Sequence, residues 1–298
     1  MGVVLLCSGV IGASQKNQAS SKLRVMTSIF PLKEFAQAVC GSRGKVSLLL
    51  PPGAQIHTWQ PRPSDIFSLS SADVFIYVGA HLEPWAHDIL KSVQKKSLRV
   101  MEASEGLSLI KKNIPHKKHE SPGLDPHIWL DFGKDQILVD RMSRLFSKVD
   151  PEGAHVFKKN ARIYKQKLQN LHKKYKRSLQ ECEHRTFLLG GHAAFGYLAE
   201  KYNLNQISLY GVNPHSEPTP QQLVKVVKLA EKHNIKVVFF EINVSDKLAK
   251  VIAEEIEGRT MVLNPGASLT RSQYKSGVTF IDIMEKNLES LKNGLNCK

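Results

Sequence analysis

The stretch DPEGAHVFKKNARIYKQKLQNLHKKYKRSL (150–179) decides the fold. Asp150 is placed to cap a helix and Pro151 suits its first turn, while Ala154, Phe157, Ala161, Tyr164, Leu168, Leu171, Tyr175 and Leu179 recur at three- and four-residue steps. The spacing predicts one unbroken helix on the order of 40 Å long. A helix of that length, long for a globular protein, ties two bodies together rigidly.

On both sides of it, short β-branched and apolar runs alternate with amphipathic stretches, the rhythm of an α/β protein with mostly parallel sheets. Strands are expected over 23–29, 46–50, 74–79 and 98–101, and again over 186–190, 206–210, 237–241 and 260–263. Each half then holds one four-stranded sheet flanked by helices. The corresponding division is a leader and spacer over 1–21, lobes over 22–149 and 182–298, and a linking helix over 150–181. The halves share this rhythm without an internal repeat of sequence.

A chain of 298 residues with 42% hydrophobic content has material for two cores. The apolar segment GVVLLCSGVIGA (2–13) is too short to span a bilayer and reads as the tail of an export signal, although no Lys or Arg precedes it. Cleavage after Ala13 is favoured over lipid attachment at Cys7, because the large Leu6 fits a lipoprotein site poorly. Cys7, Cys40, Cys182 and Cys297 form no CxxC pair, so they are not read as a metal site; with Cys7 removed or lipidated three remain, so at most one disulfide is expected, Cys182 with Cys297. The net charge of +15 is concentrated in 158–177 and 111–118. Neither stretch interleaves aromatic residues as a base-stacking surface would, so nucleic acid is not an expected partner, whereas an anionic membrane is a compatible neighbour.

Three histidines stand in turn-rich segments beside strand ends or helix starts. His57 follows the strand ending at Leu50, His192 follows Gly190 and Gly191 and opens a helix expected over 193–202, and His127 enters another helix within DPHIWLD (125–131). Open parallel sheets bind ligands at the carboxyl ends of their strands, which brings His57 and His192 to equivalent edges of the two halves. Glu241 and Asn264 close two further strands and add oxygen-bearing side chains. Imidazoles and a carboxylate lining a cleft are metal-site chemistry. His155, His172, His184 and His233 lie in polar, basic surroundings, His81 and His87 flank the turn Glu83-Pro84-Trp85, and His116 and His119 belong to a charged loop.

At these residues the sequence resembles the zinc and manganese solute-binding proteins of bacterial ABC importers. The resemblance runs over 23–291 and is carried by PPGAQIHTWQPRPSD (51–65), ADVFIYVGAHLEPW (72–85), DPHIWLD (125–131), GHAAFGYLAEKYNL (191–204), EPTPQQL (217–223) and VVFFE (237–241). It implies two lobes joined by a rigid helix, with the ion between them on His57, His127 and His192. The family's fourth ligand is usually an Asp where this chain has Asn264, so water, Asn264 or Glu241 is left to complete the site. Glu241 matches a family glutamate that orients an imidazole.

Three nitrogen donors favour Zn2+ over Mn2+ or Fe2+, because harder ions prefer oxygen. Zinc-type members of the family often carry a long His-rich acidic loop before the DPH segment, which is here the short basic stretch 116–120. The resemblance further implies an extracytoplasmic or periplasmic, monomeric receptor whose partners are an ABC permease and its ATPase, held at the membrane by that permease or by a lipid anchor. Two rival classes share the same residues. A zinc-dependent hydrolase would have Glu241 as its only evident base and lacks HExxH, GxSxG and Walker motifs. A surface adhesin would use the basic charge.

Overall fold

The structure is a computed structural model that describes residues 22–93, 97–112, 123–212, 218–242 and 245–298. In the first half β1 (Leu23–Thr27), α1 (Phe30–Cys40), β2 (Gly44–Leu48), α2 (Pro63–Ser70), β3 (Val74–Tyr77), α3 (Ala86–Ser92) and β4 (Arg99–Glu102) follow one another. A two-stranded antiparallel clasp of β5 (Lys111–Lys112) and β6 (Gly123–Leu124) then leads to α4 (Phe132–Val149) and α5 (Ala154–Ser178). The second half holds β7 (Thr186–Leu189), α6 (Gly196–Lys201), β8 (Asn205–Ser208), α7 (Pro220–Lys232), β9 (Val237–Phe240), α8 (Lys247–Glu255), β10 (Arg259–Val262), α9 (Arg271–Lys275) and α10 (Phe280–Gly294).

Both four-stranded sheets are entirely parallel, with orders β2-β1-β3-β4 and β8-β7-β9-β10. These are the same topology written twice, although the residues do not repeat. In each sheet the order reverses beside the first strand, and such a reversal opens a crevice at the carboxyl ends of the two strands that flank it. In the second sheet those strands are β7 and β9.

The long helix forms with one change at its start. Asp150 caps a 3-10 turn over Pro151–Gly153 through the Gly153 N–H, and the α-helix begins only at Ala154. Arg43 clamps the same carboxylate at 2.8 Å, which holds Asp150 below its usual pKa. Phe157, Ala161, Tyr164, Leu168, Leu171 and Tyr175 form the buried face of α5, as their spacing predicts. That face packs against α1, α4 and α10, so the helix contacts both halves. Tyr175 seals the far contact by donating to the Met284 carbonyl at 2.6 Å.

One continuous hydrophobic core runs through both halves, and a smaller one lies between the second sheet and α7 and α8. Direct bonds stitch the halves together beside the cleft: Phe30 N to Ala267 O at 3.1 Å, Gly53 N to Leu269 O at 2.7 Å, and Trp129 Nε1 to Pro265 O at 2.7 Å. Cys182 and Cys297 are disulfide-bonded, as expected, and tie the end of α5 to the chain beyond α10. No helix among the described residues is long and apolar enough to cross a membrane. The leader with Cys7, and His116 and His119, lie outside the described residues.

Candidate metal centre

His57, His127 and His192 converge. Their ligand nitrogens all lie within 4.8 Å of one another, and among the described residues this is the one such cluster of His, Cys, Asp or Glu. Ring centroids stand 5.1 Å apart for His57 with His192 and for His127 with His192, and 5.7 Å apart for His57 with His127.

Each ring is brought in by a different device. His127 sits between Asp125 and a 3-10 turn, Ile128–Leu130, whose three side chains are completely or almost completely buried. Asp125 Oδ1 accepts from the His127 backbone N–H at 3.0 Å and pairs with His127 Nδ1 at 2.8 Å, fixing both the loop and the ring. The Asp125 carbonyl accepts from the Tyr197 hydroxyl at 2.8 Å, so the second half braces this loop. His192 leaves β7 through Gly190 and Gly191. A Cβ at Gly191 would stand 2.8 Å from Glu241 Oε1, so glycine keeps the way open for that carboxylate. Glu241 Oε1 in turn lies 2.6 Å from His192 Nδ1. His57 is half-buried on the long loop between β2 and α2.

The helix expected over 193–202 starts late, at Gly196. The Ala193 N–H bonds the Gly211 carbonyl and the Tyr210 N–H bonds the Gly191 carbonyl, so 191–194 is held by the loop after β8 before α6 can begin.

These contacts set the electrostatics. A carboxylate only accepts hydrogen bonds, so Asp125 and Glu241 require N–H at both Nδ1 atoms. The Nε2 of each neutral ring is then an acceptor, and the two Nε2 atoms face each other at 3.2 Å. Two acceptors at that separation repel unless a proton or a cation lies between them. Burial holds the His127 imidazole below its usual pKa, against the opposing pull of Asp125, so that ring is neutral at neutral pH. A divalent cation placed between the two nitrogens relieves the repulsion and takes a lone pair from each. Two nitrogens bound to tetrahedral zinc at about 2.0–2.1 Å stand about 3.3 Å apart, close to the separation present here.

Glu241 is not in the three-nitrogen cluster; its carboxylate reaches the outer nitrogen of His192. Asn264 lines the same cavity, but its Oδ1 accepts from the Gly266 N–H at 2.9 Å, and its backbone is held on both sides by the Asn287 amide. Gly266 is in the left-handed region, φ 76°, as the turn requires. The sequence leaves Asn264 open between ligand and turn residue, and the contacts present are those of the turn. Sequence reading misses Asp125 as the partner of His127. The two-residue spacing of Asp and His in DPH carries that signal, since an Asx turn at Asp125 aims its carboxylate at the ring of His127.

The cavity has a volume of about 70 Å³. Pockets for organic ligands run to roughly 300–1,000 Å³, so this one fits an ion with its immediate ligands. Among the described residues no thiolate contributes: the Cys40 thiol is buried and its pKa is pushed up to about 12, and Cys182 and Cys297 are oxidised. His81, His87, His155 and His233 are exposed outside the cavity, and His172 pairs with the Tyr202 hydroxyl at 3.1 Å.

Residues 25–294 match the family model described as ZnuA, zinc-uptake complex component A, periplasmic. The chain belongs to the ZnuA family. A relative named high-affinity zinc uptake system protein ZnuA, from Bacillus subtilis, is 35% identical over 99% of this chain and 95% of its own length. Zinc-binding protein AdcA of Streptococcus pyogenes serotype M18 is 35% identical over 92% of this chain, which spans only 56% of that relative. Among solved structures, the Zn(II)-bound ZnuA-like domain of Streptococcus pneumoniae AdcA is similar, with a TM-score of 0.78 at 33% identity, covering 92% of this chain and 99% of that one. The two parallel sheets and the joining helix are thus the ZnuA fold, and the family is a solute-binding one, not an enzyme family.

Proposed function

We propose that this chain captures a divalent transition metal, zinc before manganese or iron, outside the cytoplasm and delivers it to an ABC permease and its ATPase for import. The observation that carries the reading is the pair of Nε2 acceptors, His127 and His192, facing each other at 3.2 Å with both Nδ1 atoms anchored on carboxylates. His57 supplies the third nitrogen. A donor set of three imidazoles suits zinc, because manganese prefers harder oxygen ligands. The names of the relatives, zinc uptake system protein and zinc-binding protein, support the same choice.

In this reading the ligands are His57, His127 and His192, with water in the fourth position. Glu241 and Asp125 act through the rings they hold, and Asn264 shapes the wall of the cavity. The lobes 22–149 and 182–298 are joined through 150–181, with the ion bound where they meet. The receptor works as a monomer at the outer face of the membrane, and a lipid on Cys7 would serve as an alternative to its release after Ala13.

The direct test is elemental analysis of protein purified without chelator, followed by competition titration of the stripped protein. One zinc per chain and preference for zinc over manganese are expected. Substoichiometric zinc that manganese displaces at equal concentration would overturn the assignment.

A further inference from the structure

We propose that the solvent face of α5 is a docking surface for an anionic phospholipid bilayer, an interaction beyond metal capture. Over Ala154–Ser178 the helix carries nine Lys and Arg and no Asp or Glu. Lys165 pairs with Asp140 at 2.6 Å and Lys174 with Glu285 at 2.9 Å. The remaining cations have no ion-pair partner among the described residues. All seven are exposed, and at 3.6 residues per turn six of them, Lys158, Lys159, Arg162, Lys173, Lys176 and Arg177, fall within an arc of about 100°, with Lys167 off to one side.

The arrangement is a stripe about 29 Å long at the helical rise, with a basic cluster at each end. Gln166 and Asn170 lie between the clusters on the same face and break it with no negative charge. Such a face costs self-repulsion when left in water, and an anionic surface relieves it. An exposed helix face is convex, which suits a plane and offers no groove to a folded ligand.

Lipid is favoured over nucleic acid by what surrounds the charges. The aromatic residues of α5, Phe157, Tyr164 and Tyr175, are all buried, so none can stack on a base. An exposed apolar residue, Ile163 at 47%, borders the stripe instead and can enter the headgroup region. No residue of α5 lines the histidine cavity, so a chain lying on this helix keeps its metal site clear.

Co-sedimentation of the full chain with phosphatidylcholine vesicles, with and without phosphatidylglycerol, tests the surface at a salt concentration of about 0.1 M, where charges act over about 10 Å. Lys173→Gln/Lys176→Gln/Arg177→Gln is compared with Lys225→Gln/Lys228→Gln/Lys232→Gln, which removes equal charge from exposed positions of α7. Both variants keep the apolar N-terminal segment, so its contribution cancels. Binding to the anionic vesicles alone is expected, with a loss on the order of tenfold or more for the α5 variant and little change for the α7 variant. Equal losses in both, equal binding to neutral vesicles, or tighter α5-dependent binding to duplex DNA or heparin than to vesicles would each overturn the proposal. Zinc affinity of the same variants should stay at the wild-type level. Failure of the parent chain to bind zinc would count against the metal reading and leave the vesicle comparison standing.

Discussion

His127 Nε2 and His192 Nε2 stand 3.2 Å apart, one from each half of the chain, and each ring is anchored from behind by a carboxylate. Neither ring can turn away without giving up a buried charge-assisted hydrogen bond. The two carboxylates therefore hold both nitrogens in a geometry that suits a metal ion.

Removal of any one ring should show this directly. His57→Ala, His127→Ala and His192→Ala are each expected to lower zinc affinity by more than the roughly 10–100-fold typical for loss of an outer partner. Thermal unfolding of the metal-free variants should remain cooperative. Near-normal zinc affinity in one of them, by competition with a chelating dye, would remove that residue from the ligand set.

The anchors should give a smaller and graded effect. Glu241→Ala and Asp125→Ala free a ring without deleting a donor, so a loss of about 10–100-fold is expected for each. Gly191→Ala should resemble Glu241→Ala, because its Cβ would stand 2.8 Å from Glu241 Oε1 and displace the carboxylate. Titration calorimetry on the three proteins checks the ranking; an unperturbed Gly191→Ala would show that the carboxylate has another route to the ring.

Protons compete with the ion for Nε2, so affinity should fall steeply as pH drops below the ordinary histidine range. Burial lowers the His127 pKa, and a proton therefore competes at that ring only in more acid solution than at a free imidazole. The same shift has a sign for the metal-free protein. Below the ordinary value the unfolded chain binds the His127 proton before the folded one does, so stability declines as pH falls through that window. A flat affinity profile from neutral to mildly acid pH would indicate oxygen ligands instead.

Much of this was legible in the sequence because it rests on period and punctuation. All eight strands of the two sheets are present, each with ends shifted by at most two residues, since a run such as VVFF at 237–240 has little choice once buried on both faces. The rule that places ligands at carboxyl strand ends brought His57 and His192 together correctly. Features that depend on a single tertiary bond were not legible. The late start of α6 follows from the Gly211 carbonyl capturing the Ala193 N–H, and β5 and β6 are pairs of residues too short to carry any pattern. The commitment of Asn264 Oδ1 to Gly266 likewise needed coordinates, because Asn before Pro-Gly suits a ligand and a turn equally.

Asn264→Asp keeps an acceptor for the Gly266 N–H and adds a negative charge to the cavity wall. Manganese affinity is expected to rise more than zinc affinity, because manganese gains more from a carboxylate. Calorimetry with both ions decides it, and unchanged values for both would leave Asn264 a role in the turn alone.

The Cys182–Cys297 bond closes a loop with a sequence separation of 115 residues away from the metal cavity. Its removal by Cys182→Ser/Cys297→Ser should lower stability by about 2–5 kcal/mol in denaturant titration. Zinc affinity should be preserved. A parallel loss of zinc binding would show that the disulfide sets the position of the second half against the first.

X-ray absorption at the zinc edge, on protein loaded with one equivalent of the metal, tests the three-imidazole centre most directly. The spectrum should show three imidazole nitrogens and one further light ligand at about 2.0–2.1 Å. Two or fewer imidazoles, a sulfur shell, or a six-coordinate oxygen-rich shell would contradict the assignment of His57, His127 and His192 as the site.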